Sequence, residues 1–158
     1  MRDIAIMFTR EEVSRTRQEF WTTFGKYMSP VPSSEGMKVN WINYRTGIKH
    51  VYFRMETLEE GAAVYISIEH PDPGIRELFL GQFEELKEVL RASLEEEWDW
   101  QKDVQVGSKS ISRIYKELPS KNVANRGDWP QLISFFKERM IRLDAFWENA
   151  KWAFESLG

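Results

Sequence analysis

The feature that most constrains the fold is a pair of segments, 50–56 and 64–68, in which apolar and polar residues alternate. The apolar members are Val51, Phe53, Met55, Val64, Ile66 and Ile68. Strand side chains point alternately to the two faces of a sheet, so each segment predicts a strand with one buried side. The connecting residues end in Gly61, which can adopt the positive φ that such loops need.

One antiparallel register places every apolar side chain of these two strands on the same face. Its pairs are Val51–Ile68, Phe53–Ile66 and Met55–Val64. A shift by one residue would turn the apolar set of one strand to the other face, so the register is strongly specified. We expect helices to cover the apolar face and to leave a second, polar face on the opposite side.

A third strand is predicted upstream, over 41–45, because Thr46-Gly47 suits a tight turn. Pairing across that turn sets Trp41 beside Tyr52. The polar face would then contain two rows of side chains with two arginines close by. The members are Trp41, Tyr52 and Ser67 in one row, Asn43, His50 and Glu69 in the next, and Arg45 and Arg54 nearby.

Helical patterns flank this central stretch. Thr9 begins a helix that runs to about Met28, and Asp72-Pro73 begins a long amphipathic helix that runs to about Glu97. Two further strands are predicted after it, one from Trp98 and one over 110–115, and Asp128 caps a last helix. Residues 1–8 remain ambiguous between a short strand and an extension.

The predicted fold is therefore α+β, in the order α-β-β-β-α-β-β-α. It has an antiparallel sheet of about five strands, with the helices packed mainly on one face. The 158 residues fit a single domain over 1–158, and 42% apolar content supports a substantial core. No internal linker or repeat indicates a second domain.

Composition excludes several classes of site. The chain has no cysteine, which rules out disulfides, thiolate catalysis and zinc–thiolate sites. With only two histidines, a three-ligand catalytic metal site would have to use carboxylates, so we expect neither metal nor cofactor. No long apolar run or leader is present, which predicts a cytoplasmic protein without membrane contact.

Charge is unevenly distributed along the chain. The net charge of −3 argues against a generally basic nucleic-acid binder, yet residues 38–54 carry four basic residues and no acidic one. Residues 72–99 carry nine acidic residues against three basic ones, and residues 101–126 are again basic. Such a dipolar arrangement can orient an anionic partner, although a solvated acidic helix beside scattered basic loops explains it equally well.

The polar face supplies the candidate binding residues. They are Trp41, Asn43, Arg45, His50, Tyr52, Arg54, Glu69 and Arg113, the last on condition that its strand extends the sheet. Aromatic rings beside arginines can stack a planar ligand and grip phosphate. A binding role predicts that Trp41, Tyr52, Arg54 and His50 are partly exposed around a concavity floored by the sheet.

Three functions remain open at this point. The first is a non-catalytic binding or accessory module that contacts nucleic acid or a nucleoprotein partner through the polar face. The second is a small enzyme that uses His50 and Glu69, since imidazole beside carboxylate is a recurrent catalytic pairing. The third is a homo-oligomeric interaction protein, a homodimer for example, whose contact face includes Trp152.

Several segments also resemble a known bacterial family, domain-of-unknown-function family 4268. They are EFWTTFGKYM, NWINYRTGIKHVYFRM, IEHPDPGI, SRIYKEL and DWPQLISFFKERM, in this order over roughly residues 17–155. In longer relatives such a domain follows a restriction-endonuclease-like domain, so the resemblance implies an accessory role near nucleic-acid processing. It carries over no catalytic residue and implies a single compact domain in a stand-alone version.

Overall fold

The computed structural model describes residues 9–157, and the predicted strand or extension over residues 1–8 lies outside that range. The elements in chain order are α1 (Arg10–Met28), β1 (Val51–Leu58), β2 (Gly61–Ile68), α2 (Pro73–Glu85), α3 (Lys87–Leu94), β3 (Asp99–Val106), β4 (Lys109–Pro119) and α4 (Trp129–Ala150). Short 3₁₀ turns precede and follow α4, at Arg126–Asp128 and Lys151–Phe154. The α+β class is confirmed.

The described strands form one antiparallel sheet in the order β1-β2-β4-β3. The predicted register of β1 and β2 is confirmed, since Val51 faces Ile68, and Phe53 faces Ile66. Gly61 closes the turn between them and has no room for a side chain, because an added Cβ would lie 2.7 Å from the Leu118 carbonyl oxygen. The sheet therefore has four strands over the described range, not about five.

The predicted strand over 41–45 is the missing one, and its residues belong to a loop on the apolar side of the sheet. Trp41 is only 2% exposed, and its indole Nε1 donates to the Val31 carbonyl at 2.8 Å. Tyr44 stacks on Phe53 with 5.1 Å between ring centroids. These contacts with the core outweigh strand pairing, so the prediction that Trp41 lies beside Tyr52 is wrong.

The helix boundaries follow their caps, with two corrections. Thr9 accepts from the Glu12 N–H and Asp72 accepts from the Gly74 N–H, as the sequence predicts for the starts of α1 and α2. The long helix from Asp72 to Glu97 is two helices, because Leu86 leaves helical geometry (φ −98°, ψ 11°). Asp128 does not cap α4 with its side chain. In the described part of the chain no helix is long and apolar enough to cross a membrane.

One core lies between the helices and the apolar face of the sheet. It contains the inward residues of β1, β2 and β4 together with buried residues of α1 to α4. Aromatic rings dominate it. Phe53 meets Trp147 edge to face, and Phe83 packs against Phe154 with 4.4 Å between centroids. Burial of such rings dominates core energetics, so this layer holds the fold together.

The opposite face of the sheet carries a second, much smaller cluster made only of strand residues. Its buried members are Ala63, Tyr65 and Ile111, with Leu58, Val104 and Tyr115 packed against them. No described helix contributes to this cluster. We call the strand side chains on this side the open face, and the prediction that the helices pack mainly on the other face agrees with it.

Strand β3, at one edge of the sheet, is interrupted by a bulge. The register with β4 shifts between Gln101 and Val104, and Asp103 adopts a positive φ of 50°. The Asp103 carboxylate accepts from the buried guanidinium of Arg76 on α2, at 3.0 Å from Nη2. Arg76 also donates to the carbonyl oxygen of His70 at 2.8 Å. The bulge thus ties the edge strand to α2.

Candidate binding surface

The open face presents two rows of side chains that cross all four strands. Because paired residues in a sheet point to the same side, the register fixes the members of each row. The first row is Tyr52, Ser67, Arg113 and Gln101, and the second is Arg54, Tyr65, Tyr115 and Asp99. The predicted pairing of Tyr52 with Ser67 is confirmed, and β4 extends the sheet with Arg113 on this side.

The guanidinium of Arg113 lies over two tyrosines. The carbon at the centre of its guanidinium is 4.2 Å from the Tyr115 ring centroid and 5.1 Å from that of Tyr65. Its Nε donates to the Gln101 side-chain oxygen at 2.7 Å, which fixes the plane of the group. Among the described residues no carboxylate lies within 4.0 Å of this guanidinium, so its charge is available to an anion.

Arg54 forms a second stack of the same kind, with a different charge balance. Its guanidinium lies 4.3 Å from the Tyr52 ring centroid. Two of its nitrogens donate to the Glu69 carboxylate, Nε at 2.6 Å and Nη2 at 3.0 Å. The Ser67 hydroxyl and Lys109 Nζ also bind this carboxylate, at 2.7 Å and 3.4 Å. Arg54 is thus neutralised where Arg113 is not.

Glu69 is ionised, and its carboxylate binds three neighbouring side chains. Its side chain is 7% exposed, and burial alone would raise its pKa. Hydrogen bonds from Arg54 and Ser67, with the charge of Lys109, outweigh that effect and lower the pKa of Glu69 below its ordinary value. The carboxylate therefore stays negative and fully engaged at neutral pH.

Two tyrosine hydroxyls of this face hydrogen-bond acidic residues near one end of the strands. Tyr65 hydrogen-bonds Glu56 at 3.4 Å, and Tyr115 hydrogen-bonds Glu117 at 3.2 Å. Burial, followed by the nearby Glu117 carboxylate, raises the pKa of Tyr115 to about 12, so its ring carries no charge at neutral pH. Glu56 and Glu117 lie toward the β1–β2 turn, whereas at the other end Glu69 lies among basic residues.

That other end is bordered by what we call the basic rim: Lys49, His50, His70 and Lys109. His50 and His70 meet edge to face with 4.6 Å between ring centroids. His50 has a positive φ of 70°, which turns the chain just before β1. Desolvation, and then the charges of His70 and Lys49, lower the pKa of His50. His70 Nδ1 accepts from the Asp72 N–H at 3.0 Å.

The structure brings together only part of the predicted site. Tyr52, Arg54, Glu69 and Arg113 share the open face, and His50 lies at its rim. The other three predicted members are elsewhere, because residues 41–45 form no strand: Trp41 is in the core, and Asn43 and Arg45 are exposed in the loop before β1. Their assignment to the polar face is wrong.

The exposure prediction holds for three of its four residues. Tyr52 is 38% exposed, Arg54 is exposed and His50 is half-buried, whereas Trp41 is not accessible. Two cavities lie away from the open face. One of about 510 Å³ opens between α1 and the β1–β2 turn, and one of about 400 Å³ lies beside Trp41. None of Tyr52, Arg54 and Arg113 lines either cavity. The open face is a platform.

The predicted candidate residues did not include the platform members Tyr65, Tyr115, Gln101 and Asp99. Tyr65 had a usable signal, because the predicted register already placed it opposite Arg54. Gln101 and Asp99 depend on the register of β3 with β4, which the bulge shifts. Tyr115 depends on the pairing of β4 with β2, two strands far apart in sequence, and no local pattern reveals either register.

The pairing of His50 and Glu69 does not have the geometry of a catalytic dyad. Among the described residues, the hydrogen-bond partners of the Glu69 carboxylate are Arg54, Ser67 and Lys109, and the His50 ring is not one of them. Within residues 9–157 no group of three or more histidine or carboxylate side chains is placed to hold a metal ion.

Comparison with known proteins identifies the family. A family model described as Domain of unknown function (DUF4268) matches residues 16–151, most of the chain. The chain belongs to this family. Searches of curated proteins and of solved structures gave no match. The DUF4268 assignment agrees with the resemblance in the sequence, and it attaches no activity to the open face.

Proposed function

We propose that the chain is a non-catalytic binding module whose binding surface is the open face, and that its partner is a single-stranded nucleic acid. The observation that carries the proposal is the Arg113 stack: a planar cation over Tyr115, hydrogen-bonded to Gln101, with no carboxylate beside it among the described residues. Guanidinium and tyrosine planes stack on nucleobases whatever their sequence. A cysteine-free chain also suits the reducing cytoplasm.

The spacing of the two arginine–tyrosine stacks supports the same partner. They lie on β1 and β4 with β2 between them, so roughly 10 Å separates them at ordinary strand spacing. RNA-recognition motifs hold about two or three bases on the exposed aromatic residues of a four-stranded sheet. This is an analogy of architecture, and it motivates single strands as the first ligands to test.

Tight binding of duplex DNA by charge alone is not expected. The net charge of −3 leaves few phosphates that the chain could neutralise without opposing acids. We therefore expect random duplex DNA at physiological salt to bind more weakly than about 1 µM, and single strands to bind better than duplex.

The experiment is fluorescence anisotropy with labelled single-stranded RNA, single-stranded DNA and duplex DNA. Arg113→Ala should weaken single-strand binding about tenfold or more, because it removes both a stacking plane and a charge. Arg113→Lys keeps the charge and loses the plane, so it should bind better than Arg113→Ala but more weakly than the wild type.

Arg91→Ala is the matched control, because Arg91 lies on α3, whose buried residues pack on the core side, and its guanidinium pairs with Glu88. This variant should bind as the wild type does. Equal loss in Arg113→Ala and Arg91→Ala would show binding by general charge and would remove the open face from the proposal. Tight binding to duplex would overturn it as well.

Trp152 supports a second candidate function, a homo-oligomeric interaction protein. Its ring is 69% exposed at the end of α4, held by a hydrogen bond from Nε1 to the Asn149 carbonyl at 2.6 Å. Tryptophan is enriched in the hot spots of protein interfaces. Analytical ultracentrifugation of the wild type and Trp152→Ala decides this, since a concentration-dependent dimer lost in the variant is required.

A further inference from the structure

The basic rim is the strongest unassigned cluster outside the two stacks. It brings two imidazoles into contact at 4.6 Å, with Lys49 adjacent in sequence and Lys109 entering from the start of β4. The rim lies next to the end of the open face that carries Glu69, since Lys109 forms an ion pair with this residue. A nucleic-acid strand that binds along the first row of the open face would place its sugar–phosphate backbone near the basic rim.

The carboxylate of Glu69 lies at the rim, but its hydrogen bonds are made to groups other than the imidazoles. Glu69 is saturated by Arg54, Ser67 and Lys109, which together supply four hydrogen bonds. A proton taken up by the histidine pair therefore adds to the positive charges of Lys49 and Lys109, which the shared Glu69 carboxylate only partly offsets. An anionic ligand would provide the missing counter-charge.

The two histidines differ in their ability to take up that proton. His70 Nδ1 accepts a hydrogen bond from the Asp72 N–H at the start of α2, and a proton on this nitrogen would break the bond. His50 has no such hydrogen bond among the described residues. Because the two rings touch, a second imidazolium beside the first is strongly disfavoured. His50 is the residue that gains the charge.

We propose that the basic rim is a phosphate-binding subsite of the open face, and that His50 takes up a proton when a phosphate group binds there. This inference rests on the proposed function, and it specifies which group of the nucleic acid the rim contacts. The ionic groups that act on His50 are Lys49 on its own loop, Glu69 and His70 after β2, and Lys109 of β4. Asp72 and Arg76, at the start of α2, contact His70.

The direction of the pH dependence follows from this assignment. Binding raises the pKa of His50 from its lowered value in the free chain. Affinity is therefore greatest below the pKa of the free chain, and it decreases as the pH rises through the pKa of the complex. A rise of one unit makes binding about tenfold tighter at the acidic end than at the alkaline end.

The first experiment is an NMR titration of the two imidazole Cε1–H signals, from about pH 5.5 to about pH 8, with and without a single-stranded oligonucleotide. The pKa of His50 should rise on addition of the oligonucleotide. Inorganic phosphate alone, at constant ionic strength, should shift the His50 signal in the same direction.

The second experiment measures oligonucleotide affinity against pH in two variants. His50→Gln should abolish the dependence and bind at acidic pH about as weakly as the wild type does at alkaline pH. His70→Asn retains an acceptor for the Asp72 N–H and should keep the dependence. Circular dichroism of both variants checks that they are folded.

The outcomes separate the two proposals. Oligonucleotide binding without a change in the pKa of His50, or with the same pH dependence in His50→Gln, overturns the phosphate subsite and leaves the open face as the binding surface. Absence of oligonucleotide binding at every pH, in the folded wild type, overturns both.

Discussion

The two faces of the sheet use the same aromatic residue types in opposite ways. On the covered face, Phe53 is packed between Tyr44 and Trp147, and ring meets ring. On the open face, Tyr52 and Tyr115 are each covered by an arginine. The rings around Phe53 stabilise the core, whereas Tyr52 and Tyr115 remain within reach of solvent beside their guanidinium groups.

Strand β2 shows what the difference teaches about burial. Every residue from Gly61 to Ile68 is buried, although described helices cover only one side of it. On the open side Tyr65 is 2% exposed because the long side chains of Arg54, Arg113 and Tyr115 lie over or beside it. Burial in this strand therefore does not distinguish the two faces, and only substitutions can.

The largest contrast is expected from neighbouring residues of β1. Phe53→Ala should lower the free energy of unfolding by about 3–5 kcal/mol, because it leaves a cavity under Trp147. Tyr52→Ala, one residue earlier on the open face, should cost about 1 kcal/mol. Urea denaturation of both variants gives the comparison, and a similar loss in the two would mean that the faces are not distinct.

The next contrast is between two carboxylates, Asp144 on the covered side of the sheet and Glu69 on the open face. Asp144 of α4 accepts from the Ser34 N–H at 2.8 Å and from the Tyr44 hydroxyl at 2.6 Å. Asp144→Ala should lower the free energy of unfolding by about 2–3 kcal/mol, because both donors lose their acceptor inside the protein. Asp144→Asn retains one acceptor and should cost less. Equal values for the two variants would contradict this account.

The smallest effect on stability is expected for Arg54→Ala. Its ion pair with Glu69 is partly exposed, so the loss in free energy of unfolding should be about 1 kcal/mol. The pKa of Glu69 is lowered in the folded chain, so the pair contributes above about pH 4.3 and its contribution is lost as the pH falls through the folded value.

The difference in stability between the wild type and Arg54→Ala should therefore shrink below about pH 4. Capture of a single-stranded oligonucleotide should weaken in this variant even at neutral pH. A loss of several kcal/mol, equal at all pH values, would place Arg54 in the core and remove the open face as a binding surface.

The sequence predicted the half of the sheet whose register follows from local alternation. The pairs of β1 with β2 were all available in 50–68, and they located Tyr52, Arg54 and Glu69 on one face. The prediction of a strand over 41–45 was wrong because this loop is held by contacts with residues that are distant in sequence. The Tyr44 hydroxyl donates a hydrogen bond to the Asp144 carboxylate, and the Trp147 indole donates one to the Thr46 carbonyl.

The remaining misses have the same physical origin. The break at Leu86 is invisible to periodicity, because apolar residues continue at helical spacing through it. The Arg113 stack needed Tyr115 and Gln101, and a two-residue irregularity in β3 decides which side chains of that strand face the same way. Propensity and spacing do not encode such a shift.

That irregularity also decides where another chain cannot attach. A regular edge strand offers a row of free N–H and C=O groups on which a further strand can grow, and an interrupted row does not. At Asp103 the backbone N–H turns to the Ser112 hydroxyl, and the side chain is fastened to Arg76. Continuation of the sheet by another chain is therefore disfavoured at the β3 edge, where a neighbour would meet side chains in place of an unbroken row of backbone groups.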